Sequence, residues 1–220
     1  VTRMPAELLA AALRGLHLPP GAGLAVVPLA ATEQITLPAR IRASAPRRRA
    51  SFTAGRLAAR TALRRAGLAE AEAPGMDADG LPVWPAGWRG SISHGGSLAA
   101  AIAAPAGTAR LIGLDIERLV TPETARRLAP DVMPELPPGR SGLSLHHEVT
   151  RVFSAKEALF KALYPATRQF RAFSAAHADW LPEGMALTLA EDWGPDWAAG
   201  ARFEAIQRVA ADHVATILWR

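Results

Sequence analysis

Two short stretches carry residue types that could do chemistry together. In FSAKEALFKAL (153–163), Glu157 and Lys161 stand four residues apart in a segment of helical character, a spacing that projects both side chains from one helix face. In GLDIE (113–117), Asp115 and Glu117 alternate with Leu114 and Ile116. Alternate strand residues point to one side, so both carboxylates face the same way. Three acids and one amine that converge would suit a Mg²⁺ ion handling a phosphate, since Mg²⁺ prefers a few carboxylates and takes its remaining ligands from water and substrate oxygens.

Each pair also has a plainer reading. D-x-E on a strand is often a solvated sheet edge, and E-x-x-x-K is the common stabilising pair of a helix surface, a view that Lys156 beside Glu157 also suits. What favours chemistry for the acids is their apolar strand, where carboxylates are costly to bury unless a cation compensates.

Further upstream, Arg56 and Arg60 share a helix face, with Arg47, Arg48 and Arg49 just before it. Like charges at this spacing repel mildly, which an anion between them would relieve, and a helix N-terminus near Thr53 would add a further positive field for phosphate. A solvated basic face is the alternative. Ser93 and His94 end a strand before Gly95-Gly96. Adjacent strand residues point apart, so they form no hydrolase dyad, but hydroxyl and imidazole beside a glycine turn could hold phosphate. His146-His147-Glu148 lacks the H-E-x-x-H spacing of a zinc site.

The elements that must position these residues can be read in outline. A first helix is expected over about 4–16, ended by LPPGAG, and a strand over 24–30. A helix is expected from about Thr53, as N-cap, to Ala66, with Gly67 as its stop. Two apolar strands, 90–94 and 97–105, flank the Gly95-Gly96 turn. Ala106-Gly107-Thr108-Ala109 is the best break between halves, and a strand at 111–117 opens the second. A helix at 122–129 follows, then one capped by Ser154 that ends at Tyr164-Pro165, then strands across about 170–218. FTAGRLAAR (52–60) sets against FSAKEALFK (153–161) without a gap, with Arg56 on Glu157 and Arg60 on Lys161. Two halves sharing one fold would leave such an echo.

Composition sets the bounds. The 220 residues, half of them hydrophobic, suffice for one large domain or two smaller halves. No run of about 18 apolar residues is present to span a membrane. Residues 1–16 lack the apolar core and cleavage site of a secretory signal, and there is no cysteine for disulfides or thiolate chemistry. These features favour the cytoplasm. The net charge is +5, and every basic residue except Lys156 and Lys161 is Arg. Guanidinium suits phosphates and carboxylates, so a polyanionic substrate or an acidic partner fits. A nucleic-acid-binding module is a weaker reading, because no aromatic interleaving or recognisable nucleic-acid motif accompanies the basic run. A Mg²⁺-dependent nucleotide phosphohydrolase could use the same acids with water as acceptor.

Four segments together resemble the Sfp-type 4'-phosphopantetheinyl transferases, nearest the enterobactin-synthase-component-D-like group. They are RRRASFTAGRLAARTAL (47–63), GLPVWPAGWRGSISHGGSLAAAIAA (80–104), IGLDIERL (112–119) and FSAKEALFKALYP (153–165). The resemblance implies an α+β pseudo-dimer of two similar subdomains, each a small antiparallel sheet packed with helices, with the active site in the cleft between them. The halves would be 1–108, on the nucleotide side, and 109–220, on the metal side. It implies transfer of the phosphopantetheine arm of coenzyme A to a serine of an apo carrier protein, with release of adenosine 3',5'-bisphosphate. Asp115, Glu117 and Glu157 would be Mg²⁺ ligands and Lys161 the pyrophosphate-binding lysine. Arg48, Arg56, His94 and Ser93 would hold the nucleotide phosphates. Glu157 is the expected base, and Lys161 would assist the leaving phosphate. The acidic carrier and coenzyme A are the expected partners, with no nucleic acid and a monomeric chain. The carrier could belong to siderophore, peptide, polyketide or fatty-acid synthesis. One departure stands out: Asp77 and Asp79 occupy the stretch before Leu81-Pro82 with no Lys or Arg, where many relatives place a basic residue, so a phosphate contact is missing or comes from Arg89.

Overall fold

The computed structural model describes residues 4–31 and 35–220. Its first half contains helix α1 (Pro5–Ala12), strand β1 (Gly23–Pro28), the single turn α2 (Ala39–Arg42) and the long helix α3 (Pro46–Arg65). A two-residue ribbon, β2 (Gly75–Met76) with β3 (Pro82–Val83), follows, and then the hairpin β4 (Trp88–Gly95) and β5 (Leu98–Pro105). The second half runs β6 (Ile112–Arg118), α4 (Pro122–Val132), α5 (Leu145–Thr167), β7 (Ala176–Leu181), β8 (Gly184–Leu189), β9 (Arg202–Ala210) and β10 (His213–Trp219). All strand pairs are antiparallel. A three-stranded sheet has the order β1-β5-β4, and a five-stranded sheet the order β6-β10-β9-β8-β7. The architecture is mixed α and β, with helices laid against antiparallel sheets.

The alanine-rich strand β5 shows how the first half is built. Its residues alternate between two cores: Ala101 and Ala103 meet Ala58, Ala59, Ala62 and Leu63 of α3, while Leu98, Ala100, Ile102 and Ala104 face Leu114, Ile116 and Leu9. The period of two puts one set on each face, and small side chains let α3 lie close. In the second half, Val149, Val152, Ala155, Leu159 and Leu163 of α5 recur at helical spacing and pack on Met185, Leu187 and Phe203 of the sheet.

The sheets meet where edge strand β4 passes edge strand β6. No ladder joins them. Ser91 takes that role: its hydroxyl accepts from Leu114 N–H at 3.0 Å and donates to the Leu114 carbonyl at 3.4 Å.

Several expected boundaries move. Helix α3 begins at Pro46 behind Ala45, not at Thr53, because proline at the first helical position loses no needed donor. Arg47, Arg48 and Arg49 therefore sit in its first turn. Ser154 is no cap: α5 starts at Leu145 behind Ser144, and Ser154 is fully buried, bonded to Thr216 at 2.8 Å. The helix also continues through Pro165 to Thr167, ending on Arg168 in the left-handed region at φ 53°. Lys156 is not surface decoration either. It is buried, bridging Glu135 at 2.8 Å and donating to the Phe173 carbonyl. The turn over 106–109, the hairpin at Gly95-Gly96 and the C-terminal strands stand where expected. No helix among the described residues is long and apolar enough to cross a membrane.

Candidate active site

Asp115 is 1% exposed. Strand β6 turns Ile112, Leu114 and Ile116 into one core and so presents Gly113, Asp115 and Glu117 toward α5. Lys161, one turn beyond Glu157 on α5, donates from Nζ to Asp115 Oδ1 at 2.5 Å and to Ser93 Oγ at 2.7 Å. Ser93 donates to the same Oδ1 at 2.9 Å. The three form a closed triangle joining β4, β6 and α5.

Asp115 Oδ2 is buried without a hydrogen-bond partner among the described residues. The neighbouring acids feel the same crowding. Burial first, then the Asp115 and Glu157 charges, push the Glu117 carboxyl up to about 8 against the opposing pull of Lys161. Burial also raises Glu157, with Lys161 opposing and Asp115 adding. An orphaned carboxylate oxygen and two acids that resist ionisation are the signature of missing positive charge. Among the described residues, no three acid or imidazole groups enclose a metal position as they stand. The donor set nonetheless fits a hard divalent cation, which would relieve all three carboxylates.

Beside this cluster opens a cleft of about 490 Å³, lined from the first half by Arg48, Phe52, Arg56 and His94 and from the second by Lys161 and Tyr164. Arg56 is 6% exposed and its Nε has no partner among the described residues. Its guanidinium rests 4.5 Å over the Phe52 ring, and burial together with Arg48 lowers it to about 10. A buried cation without a carboxylate is costly, and an anion in the cleft would compensate it. His94 is held below its usual value by burial and by the Lys161 and Arg48 charges, so it is neutral at pH 7 and able to donate one ring N–H. Four of the expected site residues, Arg48, Arg56, His94 and Lys161, line this cleft. Ser93 does not; its hydroxyl is committed to Asp115. Asp115, Glu117 and Glu157 are not among the lining residues; Asp115 is tied to the cleft through Lys161.

Sequence reasoning missed what holds the walls. Gly113 presents no side chain to α5, and Gly95 lets β4 approach Ile116 and Glu117 of β6. An isolated glycine inside a strand pattern is the signal that marks such an approach. The far wall was missed too. Arg110 lies 4.8 Å over the Trp197 ring and pairs with Asp196 at 2.7 Å. Arg89 lines the cleft but spends Nη1 on the Arg110 carbonyl. Asp77 and Asp79 both engage Arg168 from the end of α5.

Comparison with known proteins agrees with this geometry. Residues 37–104 match the 4'-phosphopantetheinyl transferase N-terminal domain, and residues 111–217 the 4'-phosphopantetheinyl transferase superfamily. Enterobactin synthase component D of Salmonella typhi is 36% identical over 126 residues, covering 56% of this chain and 51% of the relative. That of Escherichia coli K12 is 39% identical over 119 residues, covering 53% and 55%. The 4'-phosphopantetheinyl transferase Npt of Nocardia iowensis is 36% identical over 139 residues, covering 61% and 60%. The chain thus spans about half the length of the curated relatives it matches. Two consecutive family matches flank the turn at 106–109, and the acids, the lysine and the basic cleft meet across it: the chain belongs to the 4'-phosphopantetheinyl transferase superfamily.

Proposed function

We propose that the protein transfers the 4'-phosphopantetheine moiety of coenzyme A to a serine hydroxyl of an apo carrier protein, releasing adenosine 3',5'-bisphosphate. The observation that carries this reading is the junction of a cationic cleft wall (Arg48, and Arg56 whose Nε has no partner among the described residues) with a buried acidic cluster bridged by Lys161. A nucleotide diphosphate in the cleft would place its bridging oxygens between them.

Asp115, Glu117 and Glu157 would hold Mg²⁺, which when bound neutralises pyrophosphate charge as a Lewis acid. The remaining work falls to the chain. Arg48, Arg56 and His94 bind and orient the nucleotide phosphates, so positioning and fixed charge supply most of the acceleration. Glu157 accepts the proton of the carrier serine as the serine oxygen bonds to the β-phosphorus. The bond from that phosphorus to the bridging oxygen breaks, and Lys161 stabilises or protonates the departing phosphate. No enzyme nucleophile is required, which suits a chain without cysteine.

Helix on antiparallel sheet in each half, with Phe52-to-Arg60 set against Phe153-to-Lys161, supports a pseudo-dimer of 1–108 and 109–220 working as a monomer. Coenzyme A chemistry on nascent carriers supports a cytoplasmic location, and an Arg-rich cleft supports an acidic carrier. Siderophore-synthase carriers are the first to try, given the names of the relatives.

Incubation with coenzyme A, Mg²⁺ and several apo carriers, read by intact mass, is expected to show a phosphopantetheine adduct on at least one. Asp115→Ala or Glu157→Ala should abolish it with the fold intact. Free phosphopantetheine without an adduct would mean a phosphohydrolase instead, and salt-sensitive binding of generic DNA without coenzyme A binding would mean a nucleic-acid module.

A further inference from the structure

Helix α5 meets the sheet through a further set of polar contacts that the chemistry above does not use. Gln207 of β9, Thr216 of β10 and Asp115 of β6 pair directly across the strands, so their side chains form one row on the face beneath α5. On the helix, Arg151, Ser154, Ala158 and Lys161 recur at helical spacing and share one stripe. Row and stripe meet residue by residue. Arg151 Nε donates to Gln207 Oε1 at 2.9 Å, and Gln207 Nε2 donates back to the Arg151 carbonyl at 2.8 Å. Gln207 Nε2 also donates to Thr216 Oγ1 at 3.0 Å, and Thr216 shares a hydrogen bond with Ser154 at 2.8 Å. Ala158 lies against Gly113, and the last pair is Lys161 on Asp115.

This seam is buried: Ser154 and Thr216 are fully enclosed and Gln207 is 4% exposed. Polar groups in such a place cost stability unless they are satisfied, and apolar side chains of similar size would hold the helix to the sheet as firmly. What apolar side chains would not do is fix its rotation. The contacts of Val152, Ala155 and Leu159 beside the seam are non-directional, whereas hydrogen bonds weaken steeply with angle. Advancing α5 by one residue turns each side chain by about 100°. That would part all three pairs at once and carry Glu157 and Lys161 away from Asp115.

We infer that Gln207 and Thr216 are positioning residues: acting through Arg151 and Ser154, they hold α5 in the rotation that aims Glu157 and Lys161 at Asp115. The inference rests on the metal-site and transferase reading above and adds to it the residues that set its geometry.

The test strips the seam while keeping its shape. Replacing both partners of a buried hydrogen bond by apolar groups is nearly neutral, so the triple variant Ser154→Ala/Gln207→Met/Thr216→Val should keep a Tm near that of wild type. Its Mg²⁺ affinity, by calorimetry without coenzyme A, should fall about tenfold, the scale on which outer groups tune a metal site. In transfer assays kcat should fall about a hundredfold, as for misplaced reacting groups, with KM for coenzyme A within about threefold. Thr216→Ser, which keeps the hydroxyl, should restore both. A crystal structure of the metal-free triple variant should show α5 turned and the Lys161–Asp115 bridge broken. An unmoved bridge, or losses of Mg²⁺ affinity and kcat only in step with Tm and coenzyme A binding, would make the seam a support of the fold and overturn the inference. A wild type that formed no carrier adduct would fail the transferase reading instead, and the metal affinity and the bridge would still decide this one.

Discussion

Gly113 stands so close to Ala158 that a Cβ built on it would lie 1.9 Å from the Ala158 carbonyl oxygen. No side-chain rotation can relieve a contact with backbone. The glycine therefore sets the separation of β6 from α5, and with it the reach of Lys161 to Asp115 two residues further on.

Gly113→Ala is accordingly expected to force the helix outward. Overpacking of this kind costs about 1–3 kcal/mol, and a displacement of about 1 Å at reacting groups can cost about a hundredfold in rate. Thermal unfolding and single-turnover transfer would check the two effects separately. Wild-type transfer rates in this variant would show that the close approach does not position the site.

Removing Arg56 should separate stability from binding. The guanidinium is buried, repelled by Arg48, and its Nε has no hydrogen-bond partner among the described residues. Arg56→Met is expected to leave Tm unchanged or raise it, since an apolar replacement of a buried charge is often neutral or stabilising. Coenzyme A affinity should fall about tenfold or more. A large loss of Tm would mean that Arg56 supports the fold instead.

The acidic cluster predicts a pH-dependent need for metal. Glu117 has a folded value of about 8 against an ordinary 4.5, so in metal-free protein it keeps its proton at neutral pH. The stability gained from that protonated state is complete below 4.5 and is lost as pH rises through about 8. Metal-free Tm should therefore fall over that window. Mg²⁺ should restore it, more strongly above pH 8 than in mildly acidic buffer, and release protons on binding. Calorimetry in buffers of different ionisation enthalpy would count those protons. Equal Mg²⁺ effects in wild type and Asp115→Asn would rule out this site.

Glu148 offers a test of the loop before α5. It is fully buried and accepts from Gly139 N–H at 2.8 Å, Ser141 N–H at 3.2 Å and the Ser141 hydroxyl at 2.6 Å. Burial alone would raise its carboxyl, but these bonds outweigh it and hold it below its usual value. The stability it contributes is present above the unfolded carboxylate value and lost as pH falls through the lower folded one. Glu148→Gln should lose about 1–3 kcal/mol at pH 7, with the gap to wild type closing in acid. If the loop meets the carrier, KM for carrier should rise while coenzyme A binding stays unchanged.

Much of this site was legible because its residue types are unusual where they stand. Acids in an apolar strand and a lysine in an Ala/Leu helix point to one another before any fold is known. Arg56 and His94 could be placed by turn and helix signals alone. Boundaries were harder: Pro46 and Leu145 begin helices several residues earlier than Thr53 and Ser154 suggest, because any hydroxyl ahead of an apolar run mimics a cap. Ser93, expected beside a phosphate, donates to Asp115, a contact between residues 22 apart in sequence that no local pattern announces. The Asp79–Arg168 bridge joins residues 89 apart in sequence, and neither residue carries a local pattern that names its partner.

The Ser91 seam has a consequence for self-association. β4 and β6 are each the edge of a sheet, and an uncovered edge is a template on which other chains can add strands. Here each edge is shielded by the other, with Ser91 in place of a ladder. Either half produced alone would expose that edge, and for the second half also its buried acids. The split halves are therefore expected to aggregate singly and to remain dispersed only when expressed together.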